Sequence, residues 1–218
     1  MQRLSAATKK LESYQCRIEY LFEQPLFESK ALRQGDLYYQ KEKDKSLLRI
    51  NFRTLKEDND PQKEYRDEYI FDGRWLTRID YQVKQVKRDE QAGEGEQIDA
   101  FELVRRSFPI IGFDKVEDLE EQFDIAFAGE KSTKTGDFAK LNLKPKADSE
   151  YADDYVSIDM VIDTELYLPS KIKAENTEQD IYTLEFSRPV INKKIDKTVF
   201  EYKIPKGFTV DTSLIEGK

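Results

Sequence analysis

The fold of this chain is decided by residues 136–202, which read GDFAKLNLKPKADSEYADDYVSIDMVIDTELYLPSKIKAENTEQDIYTLEFSRPVINKKIDKTVFEY. Apolar side chains alternate with mostly polar ones in three short runs, and Ile172 and Ala174 continue the rhythm in a fourth. A two-residue period places the apolar set on one face of a β-sheet. Short connections make neighbouring strands antiparallel. The apolar sets are Ala139, Leu141 and Leu143; Val156, Ile158, Met160 and Ile162; and Tyr182, Leu184 and Phe186.

The N-terminal part of the chain adds a helix and more strands. Residues 2–14 have helical spacing, and residues 16–22 then alternate with a period of two. Asp72-Gly73 is a hairpin signal between strand 65–71 and the strand that carries Trp75. We therefore predict a mainly β protein with helices (α+β), in which about eleven antiparallel strands form one domain over residues 1–218. So large an open sheet is expected to curl.

Two short helices are predicted between the two sets of strands, after a glycine-bearing loop at 90–97. The segment 97–113 is the most apolar helical piece of the chain, and a second helix follows from Asp114. One interpretation is a packing helix that plugs the concave face of the sheet. The other is a lid that opens over a hydrophobic cavity to admit an apolar ligand. The sequence leaves both open.

Composition excludes several classes of function. The net charge of -8 argues against nucleic-acid binding, which needs a basic patch. The chain has no histidine and a single cysteine, Cys16, which removes most nucleophile–base pairs, thiolate metal clusters and internal disulfides. Neighbouring carboxylates such as Asp67-Glu68 point to opposite faces of a strand and cannot flank one bond. We therefore expect a protein that is not an enzyme and uses no metal or cofactor.

The order of short motifs along the chain is the most specific signal. A helix leads into a strand, a glycine-led strand, a hairpin before a tryptophan, a turn before Leu-Pro, and a terminal Pro-Lys-Gly. The motifs are Gly35-Asp36-Leu37-Tyr38-Tyr39, Asp72-Gly73 before Trp75-Leu76, Ile162-Asp163-Thr164-Glu165 before Leu168-Pro169, and Phe200-Glu201-Tyr202 before Pro205-Lys206-Gly207. In this order, over nearly the whole chain, the sequence resembles the outer-membrane lipoprotein carrier (LolA-like) family.

The resemblance implies an unclosed antiparallel β-barrel that is covered by helices. In that family the cavity holds acyl chains of lipoproteins in the periplasm and carries them between membranes. It further implies a monomer whose partners are lipid or lipoprotein acyl chains and membrane-bound donor and acceptor proteins. We expect a periplasmic location, with a signal peptide already removed. The candidate lipid-binding residues are Ile18, Tyr20, Phe22, Tyr39, Ile50, Trp75, Phe101, Val104 and Phe108.

Two alternatives remain open from the sequence. The same sheet with a filled core would serve as a protein-interaction or sensor module that docks a partner at an exposed edge. A carboxylate-dependent hydrolase would need two acids converging in a pocket with perturbed pKa values. An empty, connected apolar cavity of several hundred cubic ångströms distinguishes a carrier from the other two.

Overall fold

The described strands form one sheet whose two ends do not meet. The computed structural model describes residues 2–43, 45–100, 103, 116–133 and 136–215. Within them the sheet has twelve strands in the order β12-β6-β5-β4-β3-β2-β1-β11-β10-β9-β8-β7. The strands are β1 (Ser13–Gln24), β2 (Ser29–Lys41), β3 (Ser46–Glu57), β4 (Lys63–Phe71), β5 (Trp75–Asp80), β6 (Gln85–Glu90), β7 (Phe123–Thr133), β8 (Gly136–Pro145), β9 (Tyr155–Asp163), β10 (Leu168–Asn176), β11 (Ile181–Ile191) and β12 (Thr209–Ser213).

The strand pairing confirms the predicted mainly β, unclosed antiparallel architecture. Consecutive strands from β1 to β6 and from β7 to β11 pair as antiparallel neighbours, and β1 joins the two halves of the sheet by pairing with β11. The twelfth strand, β12, was not predicted. It adds to the edge of β6 in parallel, and its residues are all exposed, so no hydrophobic period marks it in the sequence.

The N-terminal helix, α1 (Gln2–Lys9), is shorter than the predicted segment 2–14. The Asn192 side chain explains the difference, because its Oδ1 accepts hydrogen bonds from the backbone N–H groups of Glu12 (2.8 Å) and Ser13 (3.3 Å). The Ser13 hydroxyl donates to the Lys193 carbonyl at 2.6 Å. These bonds commit the chain to β1 at Ser13, before another helical turn forms.

The mid-chain helical region agrees with the prediction where it is described. The second described helix, α2 (Val116–Gln122), leads directly into β7. Ala100 and Leu103 are helical and buried, and the Leu103 N–H donates to the Asp99 carbonyl at 3.1 Å. Most of the predicted helix 97–113 lies outside the described residues. No helix in the described part of the chain combines the length and apolar character needed to span a bilayer.

A C-terminal strap, residues 192–208, crosses the other face of β3–β6. The Arg49 guanidinium donates to the carbonyls of Val199 and Glu201, each at 2.8 Å, and to the Glu68 carboxylate at 2.7 Å. Tyr202 and Phe208 of the strap pack against a small cluster of Ile70, Ile79 and Val86. The strap has a 3-10 turn at Lys197–Phe200, and irregular chain follows it. This part of the sheet is therefore covered on both faces, and Ile70, Ile79 and Val86 form its apolar centre beneath the strap.

Candidate functional site

A cavity of about 460 Å³ lies between the concave face of the sheet and the segments that cover it. Its lining is almost entirely aliphatic and aromatic. The sheet contributes chiefly Ile18, Tyr20, Leu37, Tyr39, Ile50 and Phe52. The covering segments contribute Leu4, Thr8, Leu11, Ala100, Leu103 and Leu119.

Strand register brings these side chains together. Ile18 pairs with Gly35, and Leu37 pairs with Ile50, so alternate residues of β1, β2 and β3 share the concave face. Gly35 allows β2 and β3 to approach at a register shift, because a Cβ there would lie 2.0 Å from the Asn51 carbonyl oxygen. The close approach at this position is the physical reason for glycine in the glycine-led strand.

The described covering segments are attached at defined points. The Ser46 hydroxyl, fully buried in β3, accepts a hydrogen bond of 2.5 Å from the Ala100 backbone N–H. The Ile98 N–H donates to the Gly73 carbonyl at 3.0 Å, which holds the chain before that helical turn against the β4–β5 hairpin. Leu103 is thereby directed over the cavity.

The concave face carries two apolar clusters. The cavity cluster is centred on β1–β4, and its buried members include Ile18, Leu37, Tyr39, Leu48 and Phe52. The packed cluster is centred on β8–β10 and α2, and its buried members include Leu119, Phe123, Leu143, Ile158 and Ile172. Only Leu4, Leu119 and Met160 of the packed cluster's buried members border the cavity in the described part of the chain.

Four of the predicted site residues line the cavity: Ile18, Tyr20, Tyr39 and Ile50. Phe22 lies on the same face of β1, but its ring stacks on Tyr182 with centroids 5.0 Å apart and is not part of the lining. Whether the four residues contact a ligand stays a prediction.

Trp75 points away from the cavity. Its neighbour Leu76 lines the cavity, and successive strand side chains alternate between faces, so Trp75 shares the opposite face with Thr77. The Arg88 guanidinium lies 4.7 Å from the Trp75 ring centroid on that face. Because β5 carries large apolar residues on both faces, Trp75 and Ile79 on one and Leu76 on the other, its sequence did not reveal which face is concave. Phe101, Val104 and Phe108 lie outside the described residues.

Sequence reasoning did not select Arg33, the only charged residue among the described lining residues. The signal that would have found it is the β1–β2 hairpin register. A tight turn at Pro25–Phe27 pairs Gln24 with Ser29, and counting back along both strands pairs Tyr20 with Arg33. A residue paired across from a cavity residue in this way faces the same side of the sheet.

Burial governs the titrating groups of this region. Burial raises the pKa of the Tyr20 hydroxyl to about 12 and that of the Cys16 thiol to about 12. Burial also raises the pKa of the Tyr69 hydroxyl, which donates to the Asp67 carboxylate at 3.3 Å. The Cys16 thiol is therefore protonated at neutral pH and is a packed side chain rather than a nucleophile. Within the described residues, no group of three or more potential ligands could hold a metal ion.

Asp67 is fully buried and forms an ion pair with Arg78. Its two oxygens accept bonds from the Arg78 guanidinium at 3.0 and 2.9 Å, and the Tyr65 hydroxyl adds a third at 3.2 Å. Hydrogen bonding to Asp67 raises the pKa of the Arg78 guanidinium further above its usual range. A buried carboxylate held this way has a structural role and presents no free base to the cavity.

Comparison with known proteins identifies the fold. No family model and no curated protein sequence matches the chain. Among solved structures, an uncharacterized conserved protein from Thermus thermophilus has a TM-score of 0.58 and 12% identity, and the match covers 97% of this chain and 98% of that one. The lipoprotein LppX from Mycobacterium tuberculosis has a TM-score of 0.53 and 12% identity, and the match covers 89% of this chain and 94% of that one.

A third similar structure is a protein–protein complex. The Pseudomonas aeruginosa MucA/MucB complex has a TM-score of 0.53 and 14% identity, and the match covers 93% of this chain and 59% of that chain. The likeness therefore shows the shared fold, a large unclosed antiparallel sheet with a covered concave face.

Proposed function

We propose that this protein is a periplasmic carrier that holds the acyl chains of lipids or lipoproteins in the cavity of its unclosed sheet. The observation that carries the proposal is the cavity of about 460 Å³ with its aliphatic and aromatic lining. Ligand pockets typically measure about 300–1,000 Å³ and are lined mainly by such side chains. A filled core of the kind that the alternative module requires would leave no such space.

Acyl chains suit this lining for a simple energetic reason. Each methylene removed from water contributes about 0.8 kcal/mol, so a long chain is held without any specific polar contact. No reacting group is needed, and the proposal is a binding function and not catalysis. The resemblance to lipoprotein carriers supports the same ligand class, together with a periplasmic location and membrane-bound donor and acceptor proteins.

The second candidate is a protein-interaction or sensor module on the same fold. It is supported by the likeness to MucB, whose complex with MucA has been solved. Among the described strands β7 pairs with β8 alone, and Phe127 on this edge strand is 64% exposed. Such an edge offers a partner both main-chain hydrogen bonds and an apolar contact. The two candidates are separable, because only the first one needs the cavity to be accessible.

The test of the carrier proposal is a cavity-filling substitution. Delipidated protein should bind a fluorescent fatty acyl probe, measured by fluorescence titration. Ile50→Trp should weaken that binding at least about tenfold, because the half-buried Ile50 side chain lines the cavity and indole would occupy it. Val156→Trp is the matched control, because Val156 is a β-branched strand residue that is 51% exposed.

The control variant should bind the probe as the wild type does, and both variants should unfold cooperatively. Failure of the wild type to bind any acyl probe would overturn the carrier proposal. Equal binding by wild type and Ile50→Trp would show that the probe binds elsewhere and would also overturn it. Mass spectrometry of lipid extracted from the native protein would then identify the natural ligand.

A further inference from the structure

Among the described residues that line the mainly apolar cavity, one carries a charged side chain. Arg33 lies on β2 opposite Tyr20, and its guanidinium is 5.9 Å from the Tyr20 ring centroid and 5.5 Å from that of Tyr65. Its Nε atom is buried and has no hydrogen-bond partner. A buried N–H group without a partner is costly, so the orphaned Nε of this half-buried cation points to an interaction that the ligand-free protein does not make.

The carboxylates Asp67 and Asp80 are already bonded to another cation, Arg78. Asp67 is bonded to Arg78 through both of its oxygens, and Asp80 accepts a further bond of 3.3 Å from the same guanidinium. Arg33 forms no ion pair with either carboxylate or with any other acid in the described ranges. Its positive charge is therefore left to attract an anion from outside the protein chain.

Arg33 also lies at one end of the cavity. Along β1, the lining runs from Tyr14 to Tyr20, which pair with Tyr39 and Arg33 respectively. At about 3.3 Å per residue this distance is about 20 Å. The cavity is thus an elongated apolar space with a cation at its Tyr20 end and Leu11 and Tyr39 among the residues toward the other.

We propose that Arg33 binds the anionic head group of an amphiphile, a carboxylate or a phosphate, whose hydrocarbon chain lies along the cavity toward Tyr39. The guanidinium presents a planar fork of N–H donors that matches either anion. The aromatic rings beside it hold the fork in place through cation–π contacts. This inference rests on the proposed acyl-chain binding and adds a head-group preference to it.

The experiment compares two probes that differ only at the head. A fluorescent fatty acid with a free carboxylate and its methyl ester share one acyl chain. Wild-type protein should bind the acid about tenfold to a hundredfold more tightly, because a hydrogen bond to a charged group is lost in the ester. Arg33→Leu should remove this preference while leaving the affinity for the ester unchanged or stronger.

Arg88→Leu is the matched control. Arg88 also has a buried Nε atom without a hydrogen-bond partner and also lies over an aromatic ring, that of Trp75, but it is on the opposite face of the sheet. This variant should keep the preference for the acid. Arg33→Lys should keep a reduced preference, because it retains the charge without the fork, and it guards against a folding defect in Arg33→Leu.

Each outcome assigns or removes the proposed role. Equal affinity of wild type for acid and ester would overturn the head-group proposal while leaving acyl-chain binding intact. Binding of neither probe would overturn both. Inorganic phosphate should not displace the acid probe at equal concentration, because the hydrocarbon chain supplies most of the affinity. Efficient displacement would show that Arg33 binds a free anion and would overturn the proposal of an amphiphile. An alkyl phosphate of the same chain length should compete with the acid probe for the wild-type protein. Arg33→Leu should weaken that competition.

Discussion

The cavity cluster and the packed cluster share one face of one sheet and are filled to different extents. Both arise from strands with alternating apolar residues. In the packed cluster the Phe123 ring stacks on Tyr151 with centroids 5.3 Å apart, and Leu119 of α2 is 1% exposed. In the cavity cluster, side chains such as Tyr20 and Ile50 border about 460 Å³ of empty space. The strands alone do not explain the difference.

The covering segments explain it. α2 is tied to the β8–β9 connection by three bonds: the Lys146 N–H to the Gln122 carbonyl at 3.0 Å, the Lys146 ammonium to the Glu120 carbonyl at 2.6 Å, and the Glu150 N–H to the Gln122 side chain at 3.0 Å. These bonds draw the helix onto its strands. Over the cavity cluster, the described cover is held mainly at its margins, by Ser46 and Gly73. The described cover over this cluster therefore does not fill the space above the strands, whereas α2 fills it over the packed cluster.

The largest expected effect on stability comes from replacing one phenylalanine with alanine in each of the two clusters. Phe123→Ala should lower the free energy of unfolding by about 3–5 kcal/mol, because a fully packed phenylalanine leaves a new void. Phe52→Ala should cost less, about 2 kcal/mol, because one side of that ring already borders empty space. Denaturant unfolding measures both.

Acyl-probe binding provides the second readout of this pair. Phe52→Ala should change the affinity for the probe, whereas Phe123→Ala should leave it unaltered at temperatures where the variant is folded. If the two substitutions destabilise the protein equally and neither affects probe binding, the two clusters do not differ in how completely they are packed.

An intermediate effect is expected at the point where β2 and β3 form the cavity wall. Gly35→Ala should lower the free energy of unfolding by about 1–3 kcal/mol, because the added Cβ would lie 2.0 Å from the Asn51 carbonyl oxygen and the backbone must shift. Gly93→Ala is the control, since a Cβ there meets only the flexible Glu96 side chain, at 3.2 Å. Thermal unfolding compares the two, and an equal melting temperature for both variants would contradict the prediction.

The smallest effect concerns alkaline pH and the cavity cluster. The pKa of the Cys16 thiol rises from 9.0 to about 12 on folding, so the unfolded chain loses this proton first as the pH increases. The stability associated with the neutral thiol is therefore complete below pH 9 and declines as the pH rises toward 12. Cys16→Ala should remove the part of the decline that begins near pH 9. Urea titrations between about pH 8 and 10.5 measure the free energy of unfolding of wild type and variant. The same pH dependence in both proteins would contradict the prediction.

The sequence anticipated much of the sheet and a good part of the site. Alternation located most strands, and the hairpin at Asp72-Gly73 forms as predicted, with the Asp72 carboxylate accepting from the Trp75 N–H at 2.8 Å. Ile18, Tyr20, Tyr39 and Ile50 line the cavity because their strands have one clear apolar face. β12 was missed because its contribution to the sheet is made by main-chain hydrogen bonds, which any exposed sequence can form.

Trp75 shows where pattern reasoning failed. β5 carries buried residues on one face beneath the C-terminal strap and Leu76 on the other, toward the cavity. A two-residue period gives the two sets of side chains but not the direction in which the sheet curls. Arg33 was missed because a charged residue is expected on the surface. Only the strand register, which pairs Arg33 with Tyr20, places it on the cavity face.

The amino-acid sequence by itself determined that this protein is an antiparallel sheet with an apolar face, without histidine and with a single thiol, because periodicity and composition are local properties of the chain. Only the tertiary structure decided which face is concave, which cluster is closed by its helix, and that Arg33 stands inside the open one. Those features depend on how segments far apart in the chain, such as Ser13 with Asn192 and Arg49 with Val199, bond to one another. Such pairings follow from the packing of the whole chain and leave no periodic trace in the sequence.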